Sequence, residues 1–131
     1  MVIDSSAVLA ILLQEPEAES FARAIAADPV RLMSAISFLE AAIVIEARKG
    51  PPGGRELDLL LHRGKIEIVS FTGDHAEMAR GAWQRFGKGR HAAGLNIGGC
   101  CSYALSRISG EPLLFKGADF LKTDIRPAQS V

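Results

Sequence analysis

The sequence has few cysteines, few aromatic residues and no excess of either charge. Its two cysteines, Cys100 and Cys101, are adjacent in a chain of 131 residues. They form neither the spaced pairs of a disulfide framework nor the ligand spacing of a zinc site, and this usage favours a reducing cytoplasm. Lysine and arginine together number 15, as do aspartate and glutamate. The net charge of zero excludes a global field that would recruit nucleic acid.

Long hydrophobic segments and nucleotide-binding loops are also missing. No apolar run reaches the roughly 20 residues of a membrane span, and no signal-peptide pattern is present. A Gly-x-x-x-x-Gly-Lys-Ser/Thr phosphate loop does not occur in the sequence, which disfavours that mode of nucleotide binding. The hydrophobic content of 48% suffices for a packed core. The length suits one domain, which we place at residues 1–131.

What the chain does contain is an alternation of short apolar segments with helical patterns. We predict a first strand that ends before Asp4, and further strands at 30–34, 66–71 and 113–115. Helical periodicity predicts helices at 5–13, 16–27, 35–48, 54–63, 74–86 and 97–108. The glycines and prolines at 49–54 indicate a loop, and a loose tail is expected at 126–131. This order predicts an α/β layer fold around a parallel sheet.

Asp4 lies where the first strand ends and a helix begins. Ligands of open α/β sheets bind beyond the carboxyl ends of the strands, so a carboxylate at this point is directed into the ligand crevice. The alternative is a structural role in which Asp4 itself caps the helix; Ser5 or Ser6 could also provide the cap.

Glu40 is the only charged residue between Ala35 and Ile45. A buried carboxylate is costly unless it is paired or bound to a metal ion. The alternative is a capping box in which Glu40 bonds back to the amide of Ser37. That alternative requires the helix to begin at Ser37, whereas a start near Ser34 would place Glu40 inside the helix.

Asp119 follows the last predicted strand, as Asp4 follows the first, so the two acids can converge on one crevice. Together with Glu40 they form a set of carboxylates of the kind that binds Mg²⁺ or Mn²⁺ and activates water for phosphodiester hydrolysis. Asn96 is expected to cap the helix that follows it. Asp124 either supports the acidic set or is a turn residue.

The segment from Met78 to Gly110 contains basic residues but no acidic residue. It includes a basic loop at 87–96 that we expect to be flexible. Such a segment can hold phosphates, and the alternative is an ordinary solvated loop. The basic residues predicted to contact RNA are Arg85, Lys88 and Arg90. Two histidines, His62 and His75, are predicted on solvated helix faces, and the cysteines are predicted to be structural.

Four segments, in order, resemble the PIN-domain VapC toxins. They are Val-Ile-Asp-Ser-Ser-Ala at 2–7, Leu-Glu-Ala at 39–41, Gly-Leu-Asn-Ile-Gly-Gly-Cys-Cys-Ser-Tyr at 94–103 and Leu-Leu-Phe-Lys-Gly-Ala-Asp-Phe at 113–120. The resemblance implies a PIN-like three-layer α/β/α fold with a central parallel sheet. It also implies a cytoplasmic ribonuclease toxin that is inhibited by a VapB-type antitoxin and forms a homodimer, with RNA, including tRNA, as its substrate.

The same resemblance implies the roles of individual residues. Asp4, Glu40 and Asp119 are implied as catalytic residues and ligands of Mg²⁺ or Mn²⁺, with Ser6 in support. At position 99 the family pattern has an acid, and this chain has Gly99. We expect the loss of that carboxylate to lower or abolish nuclease activity while leaving the fold and partner binding intact.

Two other functions stay open at this point. One is a catalytically inactive PIN domain that binds RNA or antitoxin, which Gly99 favours. The other is a flavodoxin-like receiver or ligand-binding domain, because a fold does not define a function. A receiver would need an acidic pair near the first strand and a phosphoacceptor aspartate at the end of a later one. Here Asp4 stands alone at the first strand, and Ser34 ends the second.

Overall fold

Strands and helices alternate along the chain in the computed structural model, which describes residues 1–129. Within these residues there are four strands: β1 Val2–Ile3, β2 Leu32–Ser34, β3 Glu67–Val69 and β4 Leu113–Leu114. The same part of the chain contains six α-helices: α1 Ser5–Leu12, α2 Ala18–Ala27, α3 Ala35–Lys49, α4 Pro51–Arg63, α5 Gly73–Phe86 and α6 Ile97–Ser109. A short 3-10 helix, Asp119–Lys122, follows β4. Every predicted helix and strand is therefore present, with shifts at the ends.

The four strands form one sheet in the order β3-β2-β1-β4, and each neighbouring pair is parallel. Val2 on the central strand pairs with Leu32 on one side and with Leu113 on the other. In a parallel sheet all carboxyl ends lie at one edge. The residues that follow β1 and β4, including Asp4 and Lys116, are thereby brought to the same edge.

Alternate strand residues face opposite sides of the sheet and build two separate cores. Ile3, Met33 and Leu114 pack in a cluster with residues of α1, α2, α3 and α4. Val2 and Leu113 pack in a second cluster with residues of α5 and α6. Helices thus cover both faces of a parallel sheet, which confirms the predicted three-layer α/β/α class.

The prediction of a loop over 49–54 was wrong, because α4 begins at Pro51. Gly50, with φ of +68°, separates α3 from α4. Proline fits the first turn of a helix, since the missing N–H would have had no partner there. Gly53 lies so close to α3 that a Cβ added to it would be 2.7 Å from the carbonyl oxygen of Ile45. Gly53 therefore allows α4 to pack closely against α3.

The prediction of a solvated His75 was also wrong, whereas His62 is exposed as expected. The His75 side chain is 7% exposed and lies edge-on to Phe71, with ring centroids 5.9 Å apart. It belongs to the buried face of α5, together with Ala79, Ala82 and Phe86. A single polar residue on an apolar helix face was not recognised as part of that face.

Residues 126–129 are not a loose tail. The amide of Leu113 donates to the carbonyl of Arg126, and the amide of Ala128 donates to the carbonyl of Leu113. Gln129 donates through its amide nitrogen to Ser20. The tail prediction was therefore wrong for 126–129. Positions 130 and 131, which complete the predicted tail and domain, lie outside the described residues.

No helix within residues 1–129 is long and apolar enough to cross a membrane.

Candidate active site

Asp4 both caps α1 and lines a cavity at the carboxyl edge of the sheet. Its Oδ2 accepts hydrogen bonds from the amide of Ser6 at 3.1 Å and from Ser6 Oγ at 2.6 Å. Its Oδ1 accepts a bond of 2.5 Å from Ser102 Oγ. The cap is thus Asp4 and not Ser5 or Ser6. Three bonds orient a carboxylate that is only 6% exposed.

The bond from Ser102 is part of a buried hydroxyl chain between α3 and α6. The Oγ atoms of Ser37 and Ser102 are 3.0 Å apart. Because Ser102 gives its one proton to Asp4, Ser37 donates to Ser102. Ser102 was not predicted as a site residue, although its position among apolar neighbours on α6 was a usable signal.

Glu40 lies inside α3, and its alternative role in a capping box was wrong. The helix begins after Ser34, whose hydroxyl accepts from the amide of Ile36 at 3.2 Å. Ser5 Oγ donates to Glu40 Oε1 at 2.5 Å. Since Ser5 comes directly after Asp4, the first turn of α1 holds both carboxylates in place.

The cap of α6 is Asn96, as predicted: its Oδ1 accepts from the amide of Gly99 at 2.8 Å. A Cβ added at Gly99 would lie 3.3 Å from that Oδ1, 3.4 Å from Leu95 and 3.6 Å from Phe120. Position 99 therefore has room for a side chain once Asn96 shifts slightly, but the residue present contributes none.

Asp119 begins the 3-10 helix after β4 and is exposed. Together with Asp4 and Glu40 it lines an open cavity of about 280 Å³. The structure thus brings all three predicted carboxylates to one cavity, along with Ser6, Asn96 and Gly99. The remaining lining residues are Ser5, Leu9, Val44, Leu95, Lys116 and Phe120.

Lys116 is the positive charge in that lining, and it was not predicted as a site residue. Its amide donates to Ser6 Oγ at 3.0 Å, which ties the end of β4 to the start of α1. Its Nζ pairs with Glu15 and, at 3.3 Å, with Glu17. The hydrogen bond to Glu15 raises the pKa of the Lys116 ammonium. Its position immediately after a strand was the available signal.

Asp124 does not line this cavity. Its Oδ1 accepts from the Tyr103 hydroxyl at 2.7 Å, and its Oδ2 lies 3.3 Å from Arg85 and 3.9 Å from Arg107. Partial burial opposes ionisation, but the Tyr103 bond and the two guanidinium groups outweigh it and lower the pKa of Asp124. The structure therefore gives Asp124 partners on α5 and α6, separate from Asp4.

The three predicted RNA contacts lie in different surroundings. Arg85 is engaged by Asp124, and the Arg90 guanidinium lies over the Trp83 ring at 4.7 Å. Lys88 lines a larger cavity of about 630 Å³, which shares Leu95 and Asn96 with the acidic cavity. Of the three, Lys88 is the one that lines a cavity sharing wall residues with the acidic cavity.

Both cysteines have the surroundings of structural residues. Cys100 and Cys101 are buried and free. Burial, followed by the neighbouring Cys100 and by Glu40, raises the pKa of the Cys101 thiol to about 11. Burial also raises the pKa of Cys100. A thiol with a raised pKa is a poor nucleophile at neutral pH, in agreement with the prediction.

The donor atoms of the acidic cavity suit a hard divalent cation, although the protein supplies few of them. Within residues 1–129 no three His, Cys, Asp or Glu side chains lie close enough to hold a metal ion together. Mg²⁺ is often bound through one or two carboxylates while it keeps several waters. Asp4 and Glu40, each fixed by a serine hydroxyl, fit that mode.

The chain matches a known protein family over most of its length. A family model described as PIN domain matches residues 1–126. Mycobacterium tuberculosis VapC20, described as a sarcin-ricin loop cleaving toxin, has a crystal structure with the same fold. Its TM-score is 0.74 and its identity 18%, over 96% of this chain and 98% of that one.

Relatives of higher sequence identity show which group within this family the chain belongs to. Ribonuclease VapC30 of Mycobacterium tuberculosis is 60% identical over 125 residues, which are 95% of each chain. Ribonuclease VapC of Mycolicibacterium smegmatis is also 60% identical over 125 residues, 95% of this chain and 97% of its own. The chain belongs to the PIN-domain family and, within it, to the VapC ribonucleases. This family implies an RNA substrate and a VapB-type antitoxin, and PIN-domain ribonucleases generally depend on a divalent metal ion.

Proposed function

We propose that this chain is an endoribonuclease toxin in which Asp4 and Glu40 hold Mg²⁺ or Mn²⁺ directly, while Asp119, which lines the same cavity, contacts the ion through coordinated water. The observation that carries the proposal is the convergence of these carboxylates, from three distant parts of the chain, on one open cavity. A divalent ion bound there would lower the pKa of a coordinated water and stabilise the leaving oxygen of a phosphodiester.

The chain's own residues provide orientation and charge. Ser6 and Ser102 fix the two oxygens of Asp4, and Ser5 fixes one oxygen of Glu40. A ligand that is already held in place loses little freedom when it binds, which favours binding. Lys116 at the rim can hold a phosphate oxygen if its ammonium turns from Glu15 and Glu17 toward the cavity.

Gly99 attenuates the activity in this proposal. It occupies the first turn of α6 at the wall of the acidic cavity, where a carboxylate would face the same space as Asp4 and Asp119. With glycine there, fewer protein oxygens are available to the ion. Weaker binding and weaker activation of water follow.

The RNA is proposed to be structured, with tRNA as the first candidate. Lys88 and Arg90 lie on the loop beside the cavity wall, and both are exposed. They are proposed to hold the phosphate backbone as it approaches the carboxylates, and Arg85 can join them after release from Asp124. Contacts to phosphates contribute affinity without reading the sequence.

A homodimer in the cytoplasm is the proposed form of the free toxin. One stripe of α3 presents Ile36, Leu39 and Ile43, and Ile97 begins α6 with 80% of its surface exposed. Apolar residues exposed in this way mark interfaces. Analytical ultracentrifugation of the chain and of an Ile43→Glu variant tests this assembly. We expect a dimer for the chain and a monomer for the variant, and a monomeric parent chain would contradict it.

The test of the nuclease is cleavage of tRNA and other structured RNA in Mg²⁺ or Mn²⁺. The given chain is compared with Asp4→Ala, with Gly99→Asp and with Asp4→Ala/Gly99→Asp. We expect weak or no cleavage by the chain, strong cleavage by Gly99→Asp and none by the two variants that lack Asp4. Full cleavage by the given chain, lost on Asp4→Ala, would contradict the attenuation but not the site.

The second candidate function is an inactive PIN domain that binds RNA or antitoxin, and the missing side chain of Gly99 favours it. Absence of cleavage by every variant, with RNA binding retained, is the result that distinguishes it.

A further inference from the structure

The two glycines of the first turn of α6 have opposite steric surroundings. A Cβ added at Gly98 would lie 2.6 Å from Oε1 and 2.7 Å from Oε2 of Glu40. At Gly99 the nearest contact would be 3.3 Å. The carboxylate of Glu40 therefore lies directly against the backbone of Gly98, in the space that any other residue would fill.

From this geometry we infer that Gly98 is a positioning residue for Glu40. The Ser5 hydroxyl holds Oε1 from the α1 side, and the bare backbone of Gly98 lets the carboxylate lie against α6. The inference rests on the proposed function in one respect, which is that Glu40 is taken as a metal ligand. The position of the carboxylate itself does not depend on that assumption.

Substitution by alanine should move Glu40 without unfolding the protein. The atoms in conflict are at the end of a flexible side chain, which can rotate away, and no backbone atom is among the three nearest. Alanine also favours helical structure over glycine. A Gly98→Ala variant should therefore remain folded and yet have a displaced carboxylate.

Gly99→Ala is the matched control, because it adds the same methyl group one position along the same helical turn. Crystal structures of both metal-free variants test the placement directly. We expect the hydrogen bond between Ser5 and Glu40 to be broken in Gly98→Ala and kept in Gly99→Ala. An unbroken bond in Gly98→Ala would overturn the inference, whatever the protein does with RNA.

Mn²⁺ titration, followed by the electron paramagnetic resonance of the free ion, measures the consequence. We expect the Mn²⁺ affinity of Gly98→Ala to fall about 10- to 100-fold, the range typical of lost supporting contacts. The affinity of Gly99→Ala should be unchanged. Thermal melting without metal should show one cooperative transition in Gly98→Ala, as in the parent chain, so that a loss of Mn²⁺ affinity does not come from unfolding.

A double-mutant cycle separates positioning from a general structural role. In a Glu40→Ala background, adding Gly98→Ala should lower the Mn²⁺ affinity no further, because there is no carboxylate left to displace. A further loss in that background, or an equal loss in Gly98→Ala and Gly99→Ala, would overturn the inference. If the parent chain binds no Mn²⁺, the titration is repeated in the Gly99→Asp background. Absence of binding there contradicts the proposed function, while the crystal structures still decide the role of Gly98.

Discussion

Ser102 on α6 donates a hydrogen bond of 2.5 Å to Oδ1 of Asp4, across 98 positions of sequence. Both side chains are buried, and Ser37 on α3 supplies the next bond in the chain of hydroxyls. The carboxylate at the end of the central strand is thereby connected to two helices that pack against each other. The candidate site and the helix packing depend on the same atoms.

Replacement of Ser102 by alanine should lower the free energy of unfolding by about 2 kcal/mol, the size expected when a buried charged acceptor loses a donor. The variant leaves Asp4 Oδ1 without this bond and Ser37 without its acceptor. Urea denaturation measures the difference, with Ser70→Ala as an exposed control that should change little. Equal stability of the two variants would show that the hydroxyl chain does not stabilise the fold.

Asp124→Asn should make the protein less stable at neutral pH but not in acid. The folded-state pKa of Asp124 lies below its ordinary value of 3.8. The ionised side chain therefore stabilises the folded protein above that value, and this stabilisation is lost as the pH falls through the folded pKa. Because the side chain is 38% exposed, solvent screening keeps the effect below about 1 kcal/mol. Urea denaturation between pH 7 and pH 2 follows it, with the exposed Asp58→Asn as the control. A stability difference that persisted unchanged at the lowest pH would count against the charge pairing.

Lys116→Gln should weaken RNA binding and flatten its dependence on salt. If Lys116 neutralises one phosphate, the slope of log affinity against log salt should fall by about 0.7–0.9. Binding of a labelled tRNA at several salt concentrations gives this slope, and the exposed Lys65→Gln is the charge-matched control. A Glu15→Gln/Glu17→Gln variant should bind more tightly, because it releases the ammonium. An unchanged slope in Lys116→Gln would remove Lys116 from the RNA contact.

Both cysteines should resist alkylation in the folded protein. With the pKa of Cys101 raised to about 11 and both thiols buried, little thiolate is present at pH 8. Mass spectrometry after iodoacetamide treatment should show slow labelling in buffer and rapid labelling in urea. Labelling at the same rate in both conditions would mean that the cavity wall opens to reagent.

Local signals in the sequence were sufficient for the fold class and for much of the site. The alternation of apolar strands with helical periods predicted an α/β layer fold around a parallel sheet, because each signal is a property of one segment. Asn96 as a cap, and the position of Asp4 and Asp119 after strands, follow from the same short-range rules. The metal and catalytic roles of Asp4, Glu40 and Asp119 stay predictions, to be decided by the experiments above.

Tertiary structure decided what depends on two distant segments. Nothing near Ser102 in the sequence indicates Asp4 as its partner, and nothing near Gly98 indicates the carboxylate of Glu40. Lys116 pairs with Glu15 and Glu17 only because the parallel pairing of β1 and β4 brings their ends to one edge of the sheet. The sequence by itself determined which chemical groups are present and which elements carry them. The packing of α3 against α6 and the parallel register determined which of those groups are in contact, because contacts between remote segments arise only when the core is packed.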